Sequence, residues 1–144
     1  MKKCKVGYTT GVFDLFHIGH LNLLKRAKSQ SDYLIVAVTT DEETFRIKNR
    51  KPIIPFEERI EIVRAIKYVD SAIPEFDTDK LTAWDKIKFD CIFKGDDWKG
   101  TAKWNNYEIE FKKRNVDVVY FDYTVGTSST ELREVIYKYL DGEF

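Results

Sequence analysis

The sequence has almost no histidine, almost no cysteine and no net charge, and each shortage excludes something. Only two histidines occur in 144 residues, His17 and His20, both in the stretch H-I-G-H. A zinc site needs three or four ligands and a Ser-His-Asp or Cys-His arrangement needs a supporting constellation. Neither is visible around this pair. The two cysteines, Cys4 and Cys91, stand in separate apolar runs at a spacing that fits no metal or redox motif. They are expected as buried free thiols, which in turn implies a reducing, cytoplasmic setting. Lys+Arg and Asp+Glu number 24 each, so no general attraction to nucleic acid or to an anionic membrane surface follows. Any anion must be held by local placement of cations and backbone N–H groups.

Other absences bound the architecture. No apolar run approaches the roughly 18 residues that span a bilayer, and the start, "MKKCKVGYTTG", lacks the apolar segment of a signal peptide. There is no internal repeat, low-complexity segment or linker rich in Gly, Pro or Ser. Residues 1–144 are therefore read as one domain. Apolar residues at 43% and aromatics at 15% make it globular rather than disordered.

What is present is an alternation of β-type runs and helical stretches. "CKVGYTT" (4–10), "YLIVAVTT" (33–40), "DSAIP" (70–74), "DCIFKG" (90–95) and "VDVVYFDY" (116–123) read as strands. The second is a continuous β-branched run, as expected of a strand covered on both faces. "HIGHLNLLKRAKSQ" (17–30), "PFEERIEIVRAIKYV" (55–69), "TDKLTAWDKIK" (78–88), "NNYEIEFKKRN" (105–115) and "SSTELREVIYKYL" (128–140) read as helices. Pro55 suits a helix start, Thr78 or Asp79 an N-cap, and Ser128-x-x-Glu131 a capping box. The expected fold is α/β, a Rossmann-like doubly wound parallel sheet of about five strands with helices on both faces. Ligands of such sheets bind beyond the carboxyl ends of the strands, near the switch in strand order.

The segments after the strands are rich in phosphate chemistry. After the first come Gly11, Asp14 and the two histidines. A helix opening near His17 places both imidazoles on one face of its first turns, beside an anion-binding N-terminus. After the second, "TTDEETFRIKNRKPIIPFEER" holds Arg46, Lys48, Arg50, Lys51 and Arg59, either a solvated charged face or a basic loop over a triphosphate. After the fourth, "KGDDWKG" offers adjacent carboxylates for ribose, base or Mg²⁺, or simply an acidic turn. After the last, Gly126 and the hydroxyls of Thr127, Ser128, Ser129 and Thr130 open a second helix N-terminus. Together these signals point to a nucleoside triphosphate.

"GVFDLFHIGH" resembles the G-x-F-D-x-x-H-x-G-H signature of the H-x-G-H nucleotidyltransferase superfamily. "GDDWKG" and "GTSSTELR" resemble later motifs of its cytidylyltransferase branch. The chain is similar in order and length to the bacterial glycerol-3-phosphate cytidylyltransferases. The resemblance implies that CTP and a phosphorylated alcohol, with glycerol 3-phosphate foremost, give a CDP-alcohol and pyrophosphate with Mg²⁺ or another divalent cation. The CDP-alcohol would be a precursor of cell-wall teichoic acid or capsule. The resemblance also implies a homodimer; the cytoplasmic setting and the absence of nucleic-acid or membrane partners are expected from the cysteines, the charge balance and the lack of a long apolar run.

Carried over by position, His17, His20, Asp14 and Lys48 are the catalytic candidates. Thr10, Gly11, Val12, Phe13, Arg59, Asp96, Tyr123, Thr124, Gly126, Ser128, Ser129 and Thr130 are the nucleotide-binding candidates. Lys51 is an alternative to Lys48, and Lys80 matches an acceptor-side lysine. No residue is assigned to the metal. One departure stands out: the family's R-T-E-G is here Tyr123-Thr124-Val125-Gly126, so its Arg and Glu are missing. Another cation must then serve the triphosphate, or Tyr123 stacks on the base. Other acceptors (choline, ethanolamine or polyol phosphate), adenylyl transfer and a catalytically inactive nucleotide-binding module remain the alternative readings.

Overall fold

The computed structural model describes residues 4–122, 126 and 128–142. Five strands form one sheet: β1 (Cys4–Gly11), β2 (Ser31–Thr39), β3 (Ser71–Glu75), β4 (Cys91–Gly95) and β5 (Asp117–Phe121). Among the described residues six α-helices accompany them: α1 (Ile18–Ser29), α2 (Asp41–Lys48), α3 (Phe56–Ala65), α4 (Lys80–Ile87), α5 (Ala102–Lys112) and α6 (Ser129–Leu140). All neighbouring strands pair in parallel, in the order β3-β2-β1-β4-β5. The chain therefore winds outward from central β1 to one edge, then returns to build the other. The switch lies between β1 and β4, so the crevice of such a sheet opens above the end of β1.

The period of two along β2 divides the core. Leu34, Val36 and Val38 are fully buried with Leu24 and Ala27 of α1, Ile60 and Val63 of α3, and Phe93. Ala37 lies in the opposite layer with Tyr8, Ile92, Phe89 and the α5 aromatics Trp104, Tyr107 and Phe111. Each fully buried Leu or Val is worth about 1.5–3 kcal/mol of transfer free energy, and both faces of the sheet gain it. Gly7 on β1 is required by packing: a Cβ there would collide with the Ser31 hydroxyl and the Phe93 ring. No helix among the described residues is long and apolar enough to cross a membrane.

Two expectations are corrected. Cys4 and Cys91 are joined in a disulfide between β1 and β4, their Cα atoms 6.3 Å apart, within the range a disulfide requires. Strands remote in sequence are sheet neighbours here, which residue spacing could not reveal. The two thiols are not free, so they give no indication of a reducing compartment. Second, the basic segment after β2 is not all loop. Residues 41–48 form α2, with the Thr40 hydroxyl accepting from the Glu43 N–H, three carboxylates in the first turn and Arg46 and Lys48 in the last. That charge order suits the helix macrodipole. Capping also advances the start of α5, where Thr101 accepts from the Trp104 N–H.

Candidate active site

A cavity of about 500 Å³ opens where the switch in strand order places it, a size suited to a small-molecule substrate. Its wall is built from the end of β1 (Thr10, Gly11), the turn Val12–Asp14, the start of α1, the end of β4, the end of β5 and the start of α6. The turn after β1 is tightly made. Phe13 and Leu15, on either side of Asp14, both take positive φ, 55° and 51°, a conformation that non-glycine residues adopt only under local constraint. Gly11 lets the Phe13 ring fold back, since a Cβ would stand 3.0 Å from it.

Asp14 supplies that constraint. Its carboxylate is buried, and its two oxygens accept from the Ile53 and Ile54 N–H groups at 2.9 Å each. Its backbone carbonyl accepts from the Ser129 hydroxyl at 2.7 Å. One residue thus ties the turn after β1 to the segment before α3 and to the start of α6. Arg133 reaches the same carboxylate, with Nη1 3.7 Å from Oδ2.

The histidines cap α1 with each other's help. His17 is the N-cap, and its Nδ1 accepts from the Gly19 N–H at 3.0 Å. The Nδ1 of His20 accepts from the His17 N–H at 3.1 Å. This is a capping box in which two imidazoles stand where Ser and Glu usually do. A nitrogen that accepts carries no proton, so the proton of each neutral ring sits on Nε2. Burial lowers the pKa of His17. Burial and the neighbouring His17 lower that of His20 to about 3, against the opposing pull of Asp14. The rings stack with centroids 3.9 Å apart and line the cavity. They form two neutral Nε2–H donors beside a helix N-terminus, an arrangement able to bind an anion without carrying charge themselves.

The structure sorts the remaining candidates. Thr10, Gly11, Val12, Phe13, Lys48, Ser128, Ser129 and Thr130 line the cavity with Asp14 and the histidines. Lys48 has a lowered pKa, from burial and from the charges of Arg133 and Arg50, with Asp14 opposing. Ser128 caps α6 by accepting from the Glu131 N–H. Arg59, by contrast, is buried behind the cavity. It donates to the carbonyls of Ile54, Val12 and Thr39 and to the Asp41 carboxylate, at 2.6–2.8 Å. Its planar fork holds the loops in place instead of facing a ligand. Lys80 is buried in an ion pair with Glu75, Nζ to Oε2 2.8 Å, and does not reach the cavity wall. Asp96 opens a 3-10 turn, Asp96–Trp98, whose next two residues line the cavity in its place. Gly126 has φ of 139° and borders a smaller groove with Leu132. Tyr123 and Thr124 lie outside the described residues, as do Val125 and Thr127.

Several cavity residues are invisible to motif reading. Arg133 lies one turn inside α6, and its Nη2 donates to the Thr130 hydroxyl at 3.3 Å. Arg26 lies inside α1, 4.5 Å over the Phe121 ring, and donates to the Asp122 carbonyl. Lys94 ends β4. The one available signal was helical phase: Arg133 falls one turn after Thr130, on the same face of its helix as the expected hydroxyls.

A parallel α/β sheet whose central strand runs into paired imidazole donors, closed by a second helix N-terminus and ringed by cations, defines a nucleotidyltransferase. Comparison with known proteins narrows the class. The chain belongs to the cytidylyltransferase-like family, whose model matches residues 8–135. It is 38% identical over 130 residues to the glycerol-3-phosphate cytidylyltransferase of Staphylococcus aureus, covering 90% of this chain and 92% of that one. It is 39% identical over 135 residues to the enzyme of the same name from Bacillus subtilis, covering 89% and 94%. Among solved structures, the lipopolysaccharide core biosynthesis protein of Thermoplasma volcanium matches with a TM-score of 0.71 and 28% identity, over 86% of this chain and 99% of that one. Pantoate-beta-alanine ligase from Francisella tularensis matches with a TM-score of 0.63 at 14% identity, over 96% and 71%, a likeness of fold alone.

Proposed function

We propose that the chain transfers the cytidylyl group of CTP to glycerol 3-phosphate, releasing pyrophosphate and forming CDP-glycerol. The observation that carries the reading is the pair of neutral imidazoles whose Nε2–H donors share a cavity with Lys48, Arg133 and the start of α6. The names and identities of the two curated relatives support the acceptor. An oxygen of the acceptor's phosphate attacks the α-phosphorus of CTP, and the bond from that phosphorus to the bridging oxygen of pyrophosphate breaks. The attacking group is a monoester with a second pKa near 6, dianionic at neutral pH, so the step needs no strong general base. It needs alignment and neutralisation of charge on the phosphoryl oxygens. Fixed Nε2–H donors, helix N-termini and cations provide that without rearranging during the step.

The described residues hold no group of three or more His, Cys, Asp or Glu able to ligate a metal. Magnesium therefore fits as a companion of the triphosphate, entering as MgCTP, which accords with its preference for phosphate oxygens and water. A homodimer belongs to the same proposal and rests on the family resemblance, and a cytoplasmic location is proposed with it, in keeping with the cytidylyltransferase relatives. Pyrophosphate release, measured with CTP or ATP against a panel of phosphorylated alcohols, tests the reading. Turnover confined to CTP with glycerol 3-phosphate is the expected result. Turnover with ATP alone, or none with any pair, overturns it.

A further inference from the structure

Lys94 is the unexplained charge of this cavity. It ends β4 on the face that Ile92 shares with Tyr8, Trp104 and Phe111, where the strand's pattern calls for an apolar side chain. Its Nζ lies 5.2 Å from the Trp98 ring centroid and 5.9 Å from that of Trp104. Among the described residues it donates no hydrogen bond and forms no ion pair, and it lines the cavity. The neighbouring lysine of this region, Lys80, is neutralised by Glu75, whose other oxygen accepts from Thr39. A desolvated, unpaired ammonium facing a cavity is unfavourable unless a ligand completes it.

The position of Lys94 separates it from Arg133 and the imidazoles. His17, His20, Ser128, Thr130 and Arg133 surround the two helix N-termini. Lys94 emerges on the α4/α5 side of the sheet, across the switch point from α1. In-line displacement brings a second anion to the α-phosphorus from the side opposite pyrophosphate, and that anion needs its own counter-charge. We propose that Lys94 binds the phosphate dianion of the acceptor, through an oxygen other than the attacking one, and so selects a phosphate monoester as acceptor. The proposal rests on the reading that the acceptor is an alcohol phosphate.

The electrostatics agree. Burial, then the charge of Lys80, pulls Lys94 down to about 7, with Glu75 opposing and Lys48 and Lys103 adding to the fall. The groups facing it are therefore Lys80 and Glu75 from α4 and β3, Lys48 from α2, Lys103 from α5, and Tyr120, its register partner on β5. Burial raises Tyr120 to about 12. The charge on Lys94 titrates near neutrality, where an arriving dianion restores it.

The test is steady-state kinetics on wild type, Lys94→Met and Lys94→Arg, varying CTP and glycerol 3-phosphate separately. Lys94→Met is expected to lower kcat/KM for glycerol 3-phosphate by about 10- to 100-fold, with the KM for CTP within about twofold of wild type. In wild type, kcat/KM for the acceptor is expected to fall as pH rises through about 7. In Lys94→Arg, whose charge persists, that fall is expected to disappear. A parallel rise in the KM for CTP would place Lys94 on the nucleotide and overturn the proposal. So would unchanged acceptor kinetics in Lys94→Met. Titration with inorganic phosphate, in the presence of CMP, reads the site without turnover. Weaker phosphate binding in Lys94→Met supports the site even if the acceptor reading fails, and equal binding refutes it. Lack of wild-type turnover with every phosphorylated alcohol and CTP would instead refute the functional reading.

Discussion

On the proposed reading His17 has two jobs carried by two different atoms, and substitution can separate them. Its Nδ1 caps α1 by accepting from the Gly19 N–H at 3.0 Å, while its Nε2–H is left for substrate. In His17→Asn the amide oxygen stands close to where Nδ1 was, so the cap survives and the Nε2 donor is gone. In His17→Gln the longer side chain returns an N–H near the Nε2 position and gives up the cap. His17→Ala loses both. Loss of an N-cap costs about 1 kcal/mol, which for a domain of this size lowers Tm by about 2–4 °C. Loss of one preorganised donor to developing phosphate charge lowers kcat by about 10²–10³-fold. The expected pattern is a wild-type melt with low kcat for Asn, a lowered Tm with partly retained kcat for Gln, and both defects for Ala. Pyrophosphate release from CTP and glycerol 3-phosphate reads the first quantity, and thermal melting by circular dichroism reads the second. Full kcat in His17→Asn would refute the donor role. An unchanged Tm in His17→Ala would refute the cap.

Three further outcomes follow from single contacts. Asp14→Asn replaces one of two accepting oxygens by an N–H donor facing a backbone N–H. A loss of about 1–3 kcal/mol in urea denaturation is expected, and wild-type stability would remove Asp14 from its place as the tie between segments. Gly7→Ala drives a Cβ into Ser31 and Phe93, and a loss of about 1–3 kcal/mol by the same assay is expected from overpacking. The pKa of Glu43 is held down to about 2, mainly by its hydrogen bond to Arg46 and further by Thr78, with burial opposing. Its contribution to stability is therefore present above pH 4.5 and lost as pH falls toward 2. Glu43→Gln is expected to flatten that part of the stability curve, and an unchanged slope would refute the assignment.

β2 was the most legible strand because it is a continuous, largely β-branched run that must be covered on both faces, and the alternation of β-type runs with helical stretches located the others around it. Such a pattern leaves little freedom in fold class. The first site motif was legible for a related reason: Gly11, Asp14, His17 and His20 lie in one short strand–turn–helix connection, so neighbours in sequence are neighbours in space. What remained hidden was set by tertiary neighbours. The Cys4–Cys91 bond depends on β4 lying beside β1, an adjacency that strand order creates and local pattern does not encode. Arg59 and Arg46 read as cations available to a triphosphate, yet one clamps three carbonyls and the other is held by Glu43. Charge is visible in a sequence, but whether a protein acceptor has already claimed it is not.

The same distinction bears on the missing arginine of the segment before Gly126. Its absence removes a cation from the sequence motif without leaving the cavity short of positive charge. Arg133 and Lys48 both lie near Asp14, and the pKa of each is lowered first by burial and then by cationic neighbours, Arg50 among them, with Asp14 opposing. The second of these causes reflects positive groups gathered close together around one carboxylate. Arg26 adds a guanidinium held over Phe121 at the end of β5. An excess of cations over local carboxylates is unfavourable in the empty cavity and becomes favourable when a polyanion enters. The cavity is therefore complementary to charge that only a substrate brings, and part of that complementarity sits on Arg26 and Arg133, neither of them among the residues expected from the sequence.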